Sequence, residues 1–152
     1  MAIRVGENVQ DFTLKDQNDE EFTLSRFRGK RVLLSFHPLA WTGVCAKQMQ
    51  SLEENFETFV QLNTVPVGIS VDTVPSKKAW GDSLGIRNLR MLSDFWPHGA
   101  LASLLDVFME KFGFSERANI IVDGKGKVIF VKVYPVREVP PIEEVLDFLR
   151  EH

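Results

Sequence analysis

The residue with the clearest chemical potential in this sequence is Cys45, the only cysteine among its 152 residues. It follows a buried-strand pattern (residues 31–36) and Pro38, and a helical periodicity begins at or near it. We therefore expect the thiol in the first turn of a helix, where unpaired N–H groups and the helix dipole favour negative charge. A thiol with a pKa near 8.5 is only about 3% ionised at pH 7, whereas a pKa of about 6 makes it roughly 90% ionised. Since the thiolate is the nucleophile, the pattern predicts redox or nucleophilic chemistry at this sulfur.

Thr42 strengthens this interpretation, because it lies three residues before Cys45. Its hydroxyl is expected to reach either the sulfur or an incoming oxygen atom. A lone cysteine also commonly packs as a small apolar side chain, and that alternative stays open for the residue taken by itself. The flanking residues favour the functional interpretation.

Composition excludes several other classes of function. A single cysteine cannot form an intramolecular disulfide, a CxxC redox pair or a cysteine-cluster metal site, and the three histidines lack metal-ligand spacing. A net charge of −3 does not suit a phosphate backbone, so no nucleic-acid partner is expected. No apolar run approaches the roughly 20 residues of a membrane span, and no signal-peptide pattern opens the chain. We expect a cytoplasmic protein in which His37 packs at a strand end rather than reacting.

Strand and helix patterns alternate along the chain. Strands are predicted at 31–36, 65–71, 119–122 and 128–133, and helices at 45 to about 62, 75–84, 101–108 and from Pro140 towards the C-terminus. Residues 12–24 read as an N-terminal β-hairpin around 16–19. This order predicts an α/β fold, a central mixed β-sheet flanked by helices, in one domain spanning residues 1–152.

The segment from Pro38 to Cys45 resembles the P-x-x-x-T-x-x-C signature of the peroxiredoxins. Further similarity follows in the family's order at 5–12, 24–30, 67–72, 92–99 and 116–123. The segment 93–99 is most similar to the one-cysteine, alkyl hydroperoxide reductase E-like branch. The resemblance implies a thioredoxin-like fold and thiol-dependent reduction of hydrogen peroxide or organic hydroperoxides.

The resemblance also implies a role for each matching residue. Cys45 is the peroxidatic cysteine, whose thiolate attacks the peroxide and becomes a sulfenic acid. Thr42 hydrogen-bonds the peroxide, and Pro38 shields the thiolate from water. Arg117 keeps the sulfur ionised and stabilises charge on the leaving oxygen, and Gln48 orients Arg117.

Regeneration must come from outside the chain, because there is no second cysteine to resolve the sulfenic acid. We expect an external reductant, either a low-molecular-weight thiol or a thioredoxin- or glutaredoxin-like protein, with Cys45 of another subunit as an alternative. No metal, haem or flavin cofactor is expected. Phe95 and Trp96 are predicted either in the core or at the surface that pairs subunits in the family, and the latter favours a homodimer.

Two other functions remain as alternatives. Residues 41–45 resemble the W-C-G-P-C motif of thioredoxin disulfide reductases, but Thr42 replaces the attacking cysteine, and dithiol exchange cannot close its cycle without it. Arg117 also stands near the position where thioredoxins carry a proline. A peroxide sensor or holdase that uses the same thiol without turnover shares the first oxidation step and stays open.

Overall fold

A computed structural model describes residues 2–152 and contains a five-stranded mixed β-sheet at its centre. The strands of the chain are β1 (Thr13–Lys15), β2 (Glu21–Thr23), β3 (Arg31–Phe36), β4 (Thr64–Ser70), β5 (Arg90–Ser93), β6 (Phe108–Met109), β7 (Phe114–Ser115), β8 (Arg117–Val122) and β9 (Val128–Tyr134). The central sheet has the order β5-β4-β3-β8-β9. β3, β4 and β5 run parallel, whereas β8 is antiparallel to both β3 and β9.

Five α-helices and two small hairpins complete the fold. The helices are α1 (Gly43–Glu54), α2 (Phe56–Gln61), α3 (Val74–Leu84), α4 (Ala100–Leu104) and α5 (Ile142–Glu151). β1 and β2 form the predicted N-terminal hairpin, and β6 pairs with β7 in a second one. The predicted α/β alternation and the hairpin joining β8 to β9 are both present.

The two faces of the sheet bury different sets of residues, because side chains alternate along each strand. From β3, Val32 and Leu34 pack into one core with α4 and the N-terminal hairpin. Leu33 packs into the other core, together with residues of α1, α2, α3 and α5. Ser35 shares the second face with Leu33, so polar side chains at such positions point towards the helix that carries Cys45.

Gly68 of β4 permits close packing of α1 on this second face. A Cβ atom at residue 68 would come within 2.3 Å of the Met49 sulfur, which belongs to α1. Any larger side chain must therefore displace the end of the Met49 side chain. The absence of a side chain at Gly68 lets α1 lie directly over the sheet.

One helix prediction differs from the structure because of a local asparagine. The helix predicted from residue 45 to about 62 is two helices, α1 and α2, that meet at Asn55. The Asn55 side chain donates a 2.8 Å hydrogen bond to the Ser51 carbonyl, competing with the regular backbone pattern. The break lies well beyond Cys45 and leaves the first turn of α1 intact.

The region after residue 90 contains the other differences. The helix predicted at 101–108 is wrong in its second half: α4 ends at Leu104, and Asp106 has a left-handed backbone (φ 60°) that leads into β6. β5 was not predicted, since its four residues give too short a pattern to recognise. Pro66 is accommodated in β4 because pairing with β5 begins only at Val67.

Candidate active site

The loop between β3 and α1 places Cys45 on the face of the sheet that packs against α1, α2, α3 and α5. The His37 N–H donates to the Ile69 carbonyl at 3.0 Å, which extends the β3–β4 ladder by one residue before Pro38 ends it. The loop then passes through Trp41, which has a left-handed backbone (φ 67°). Cys45 is the third residue of α1, in the first helical turn as the sequence predicts, and it is fully buried.

Arg117 is the charged group that contacts the sulfur. Its Nη1 lies 3.2 Å from Cys45 Sγ and 2.7 Å from Gln48 Oε1, so one nitrogen donates to both. Arg117 occupies β8 at a position whose side chain points to the same face as Ile121, towards α1. Gln48 follows Cys45 by three residues and lies on the same side of the helix. Strand alternation and helix periodicity thus bring the three residues together.

The remaining donors of Arg117 are held by a single backbone carbonyl. Nε and Nη2 donate to the Val136 oxygen at 3.0 and 2.7 Å, in the segment that follows β9. Within residues 2–152, no hydrogen-bond partner of the guanidinium is a carboxylate. A buried positive charge is costly without a negative partner, and the Cys45 sulfur is the contacted atom that can carry one. The guanidinium is therefore placed to stabilise negative charge that develops at this sulfur.

A directed series of hydrogen bonds fixes the Gln48 amide. Gln48 Nε2 donates to Ser35 Oγ at 2.8 Å, and Ser35 Oγ donates to Asn119 Oδ1 at 2.7 Å. Asn119 Nδ2 then donates to the Tyr134 hydroxyl at 3.4 Å, which donates to the Glu144 carboxylate on α5. Burial and the bond to Glu144 raise the pKa of Tyr134 well above its usual value, so this hydroxyl remains a donor. Every donor points away from Arg117, which leaves Gln48 Oε1 as the acceptor facing the guanidinium.

Thr42 and Pro38 occupy the loop beside the sulfur. Thr42 immediately precedes α1 and is exposed, and its hydroxyl donates to the Leu39 carbonyl at 2.9 Å. The hydroxyl proton is thus engaged within the loop, and the oxygen lone pairs are available to an O–H donor. Pro38 is buried at the end of β3. Sequence reasoning named both residues, and the structure places both in the segment that leads to Cys45.

A second buried cluster lies beneath this loop, and sequence reasoning missed most of it. Lys77 of α3 is fully buried, donates to Ser70 Oγ and lies 3.4 Å from His37 Nε2. Ser70 Oγ donates to Asp72 Oδ2 at 2.6 Å. Burial, followed by the positive charges of Lys77 and Arg117, lowers the pKa of His37 well below 6.5, so its ring is neutral.

A pattern in the sequence could have revealed Lys77. It lies three residues before Trp80 and four before Gly81, both buried on the inner face of α3. A lysine at that helical spacing is expected to share the buried face. His37, predicted to pack, does pack, but against a lysine and at 5.4 Å between ring centroids from Trp80.

Across residues 2–152, no group of three or more His, Cys, Asp or Glu side chains is arranged to hold a metal ion. Over the same residues, no helix has the length and apolar character needed to cross a bilayer.

Comparison with known proteins identifies the family. Residues 5–131 match the model of the AhpC/TSA family. The chain belongs to the AhpC/TSA family. It is 38% identical over 138 residues to alkyl hydroperoxide reductase E of Mycobacterium tuberculosis, covering 90% of each chain. The family membership and this similarity confirm the predicted peroxiredoxin of the alkyl hydroperoxide reductase E-like branch.

Solved structures of peroxiredoxins confirm the predicted thioredoxin-like fold. The reduced 2-Cys peroxiredoxin of Plasmodium vivax matches 96% of this chain and 80% of its own, with a TM-score of 0.87 and 27% identity. Peroxidoxin BcpB of Mycobacterium tuberculosis matches 98% of this chain and 97% of its own, with a TM-score of 0.86 and 25% identity. The family and its named relatives also confirm the general activity, thiol-dependent reduction of peroxides. The single cysteine fits the one-cysteine type.

Proposed function

We propose that Cys45 is the peroxidatic residue of this family member and that Arg117, Thr42, Pro38 and Gln48 form its active site. The contact that carries the proposal is the 3.2 Å approach of Arg117 Nη1 to Cys45 Sγ. A buried guanidinium without a carboxylate partner favours a nucleophilic sulfur and remains available to charge that develops next to it.

The reaction begins with an in-line attack of the thiolate on the terminal oxygen of a hydroperoxide, ROOH. A sulfur–oxygen bond forms as the oxygen–oxygen bond breaks, so that Cys45 becomes a sulfenic acid and RO⁻ departs. The departing oxygen takes a proton from solvent to give an alcohol, or water when R is hydrogen. The sulfur loses two electrons and the peroxide gains them.

Arg117 and Thr42 act on different atoms of the peroxide. The guanidinium stabilises the negative charge as it moves from sulfur to the leaving oxygen, and Gln48 keeps Nη1 in place for both. The Thr42 oxygen accepts a hydrogen bond from the peroxide O–H, because its own proton is donated to Leu39. Pro38 excludes water from the inner side of the loop. These contacts hold the substrate in line with the sulfur.

Entry of the peroxide requires a local opening, since the Cys45 side chain has no solvent-exposed area. The exposed residues Trp41, Thr42 and Gly43 lie directly before it in the chain. A Cβ atom at residue 43 would meet nothing within 4 Å, so this end of the loop is loosely packed. A small movement of residues 41–43 is therefore the route by which the substrate reaches the sulfur.

An external thiol completes the cycle. One thiol attacks the sulfenic acid, forming a mixed disulfide and releasing water, and a second thiol then displaces Cys45 as its free thiolate. We infer a low-molecular-weight thiol or a thioredoxin- or glutaredoxin-like protein as the reductant, because residues 2–152 provide no resolving cysteine. No metal, haem or flavin enters any step.

Peroxide consumption under multiple turnover tests the proposal. With a hydroperoxide and excess small thiol, Cys45→Ser should be inactive while retaining the wild-type circular dichroism spectrum. Thr42→Val should lose roughly 10²-fold in rate, and Thr42→Ser, which keeps the hydroxyl, should lose little. Wild-type activity in Cys45→Ser contradicts the proposal. A single turnover that no tested thiol can renew favours the peroxide sensor instead.

A homodimer and a cytoplasmic location are further parts of the proposal. Phe95 and Trp96 are exposed, Trp96 by 78%, which removes the core alternative for both. Phe95 lines the same surface cavity as Phe112, which adds to the exposed aromatic surface. Static light scattering should give a dimer mass that falls towards the monomer in Trp96→Glu. The reducing cytoplasm suits a lone catalytic thiol. Fractionation of the source cells, with detection of the protein by antibody, tests the location.

A further inference from the structure

Lys77 is a fully buried lysine in the second turn of α3. Lysine is rarely buried completely, because removing an ammonium group from water is costly unless it gains a charged partner. Its neighbour Lys78 takes the common alternative, remaining half-exposed and pairing with Asp82 at 2.8 Å. Lys77 has no carboxylate within ion-pair distance among residues 2–152, and its contacts are Ser70 and His37.

These contacts lead to the loop that precedes Cys45. Lys77 donates to Ser70 Oγ, and Ser70 donates to Asp72 Oδ2 at 2.6 Å. The same Asp72 oxygen accepts the Ala40 N–H at 2.7 Å. The ammonium group thus terminates a series of hydrogen bonds that ends on the backbone of the active-site loop.

A second contact between α3 and the loop is at Trp41, the residue after Ala40. Ser76 Oγ accepts the indole N–H of Trp41 at 3.0 Å. Trp41 is the residue with the left-handed backbone, a conformation that costs a non-glycine residue energy unless surrounding contacts impose it. Ser76 and Lys77 are adjacent on α3. Through these contacts they constrain Trp41 and Ala40, which are adjacent in the loop directly before Thr42.

Lys77 remains mostly charged at neutral pH although it is buried. Burial lowers the pKa of Lys77 from 10.5 to about 8, and negative charge on Asp72, Cys45 and Asp94 opposes that decrease. His37 is neutral, and Arg117 adds a positive charge to the same environment.

We propose that Lys77 is a positioning residue of the active site: its buried ammonium holds the loop of residues 38–42 through Ser70 and Asp72. The proposal rests on the role proposed above for Cys45. Lys77 makes no hydrogen bond to the sulfur among residues 2–152 and acts through the loop.

If the role of Lys77 were purely structural, its replacement would change the stability of the protein rather than the reactivity of Cys45. Replacing a buried, poorly paired charge by an apolar side chain of similar length is commonly neutral or stabilising. Lys77→Met should therefore retain the melting temperature of the wild type. Its Cys45, in contrast, should react more slowly with peroxide, because residues 38–42 are no longer held.

The test compares Lys77→Met with Lys78→Met, an exposed lysine one residue along the same helix. The rate constant for oxidation of Cys45 by one equivalent of hydrogen peroxide is measured by rapid quench and intact mass. We expect about a 10-fold decrease in Lys77→Met, because the loop that positions the peroxide is no longer held, and no change in Lys78→Met. The ratio of the wild-type rate to the Lys77→Met rate should also fall as the pH rises through about 8, where Lys77 loses its charge.

Ser70→Ala provides an independent variant should Lys77→Met fold poorly, because it keeps the charge and breaks the link to Asp72. We expect a rate decrease here as well, because the hydrogen bond from Ser70 to Asp72 is lost. Wild-type oxidation rates in both Lys77→Met and Ser70→Ala would overturn the proposal. Such a result would leave the assignment of Cys45 intact, since that assignment fails only if Cys45→Ser remains active.

Discussion

The proposed active site contains two buried cations, Arg117 and Lys77, and they are held in opposite ways. Arg117 makes four hydrogen bonds through its planar guanidinium, including one to Cys45 itself. Lys77 makes two contacts, to Ser70 and His37, and does not touch the sulfur. The guanidinium is charged at any physiological pH, whereas burial lowers the pKa of Lys77 to about 8. The charge of Arg117 is therefore permanent, whereas the charge of Lys77 depends on pH.

The difference follows from the elements that carry the two residues. Arg117 is the first residue of β8, an interior strand of the central sheet, and its backbone pairs with Tyr134 of β9. Lys77 projects from α3, and its ammonium reaches the loop only through the side chains of Ser70 and Asp72. A side chain on a rigid strand is suited to contacting the transition state. A charged side chain on a helix is suited to adjusting the position of a neighbouring loop.

Removal of Arg117 should have the largest effect. Arg117→Ala deletes the donor to both the sulfur and the leaving oxygen, so the rate of Cys45 oxidation should decrease by about 10²- to 10³-fold. Arg117→Lys keeps a charge but cannot span Gln48, Cys45 and Val136 together, and should recover only part of the loss. Rapid-quench mass spectrometry gives both rates. A decrease of less than 10-fold in Arg117→Ala would place the stabilising charge elsewhere.

The titration of Lys77 should appear in the pH dependence of stability. The folded protein releases this proton near pH 8 and the unfolded chain near 10.5, so between these values the unfolded state binds more protons. The free energy of unfolding of the wild type should therefore rise with pH relative to Lys77→Met, by about 3 kcal/mol across the full window. Urea unfolding of both proteins from pH 7 to 10.5 measures the difference. A difference independent of pH contradicts a buried, charged Lys77.

Gln48 should have an intermediate effect on the Arg117 side. Gln48→Ala removes the acceptor that orients Nη1, and we expect about a 10-fold decrease in peroxide reactivity, in line with roughly 1.4 kcal/mol for a hydrogen bond to a charged group. Gln50→Ala, at a half-buried position on the same helix, is the matched control. Stopped-flow kinetics of both variants gives the comparison. Equal rates for the two would show that Val136 alone suffices to hold the guanidinium.

The far end of the Gln48 network should matter least. Tyr134→Phe removes the hydroxyl that joins Asn119 to Glu144, and should cost about 1 kcal/mol of stability with less than a threefold change in rate. Chemical denaturation and the peroxide assay measure the two quantities separately. A large loss of rate with unchanged stability would mean that the orientation of Arg117 depends on the whole series of bonds.

The sequence predicted the Arg117 side of the site far better than the Lys77 side. Cys45, Thr42, Gln48 and Arg117 could be named because the motif spacing and the resemblance point to them directly. Lys77 could not be named as readily, since a lysine next to another lysine in a polar stretch is typical of an exposed helix face. Its burial depends on how α3 packs over β4, which is a tertiary property.

The same distinction applies to the fold. The long apolar strands β3, β8 and β9 were predicted close to their observed limits, because a buried strand has a strong local pattern. The helix expected at 101–108 was wrong beyond Leu104, since the left-handed turn at Asp106 is set by the pairing of β6 with β7 rather than by propensity. Asn55 likewise divides a helix whose apolar periodicity continues through the break.

The most direct measurement compares Cys45 in the folded protein with an unassisted thiol. The second-order rate constant for oxidation by hydrogen peroxide is measured at pH 7 for the wild type and for free cysteine, with the adduct located by peptide mass spectrometry. A protein thiol activated by Arg117 should react at least about 10²-fold faster, with one oxygen atom added at Cys45. A rate equal to that of free cysteine, or an oxygen atom added elsewhere, would contradict a thiolate held ready by the buried guanidinium.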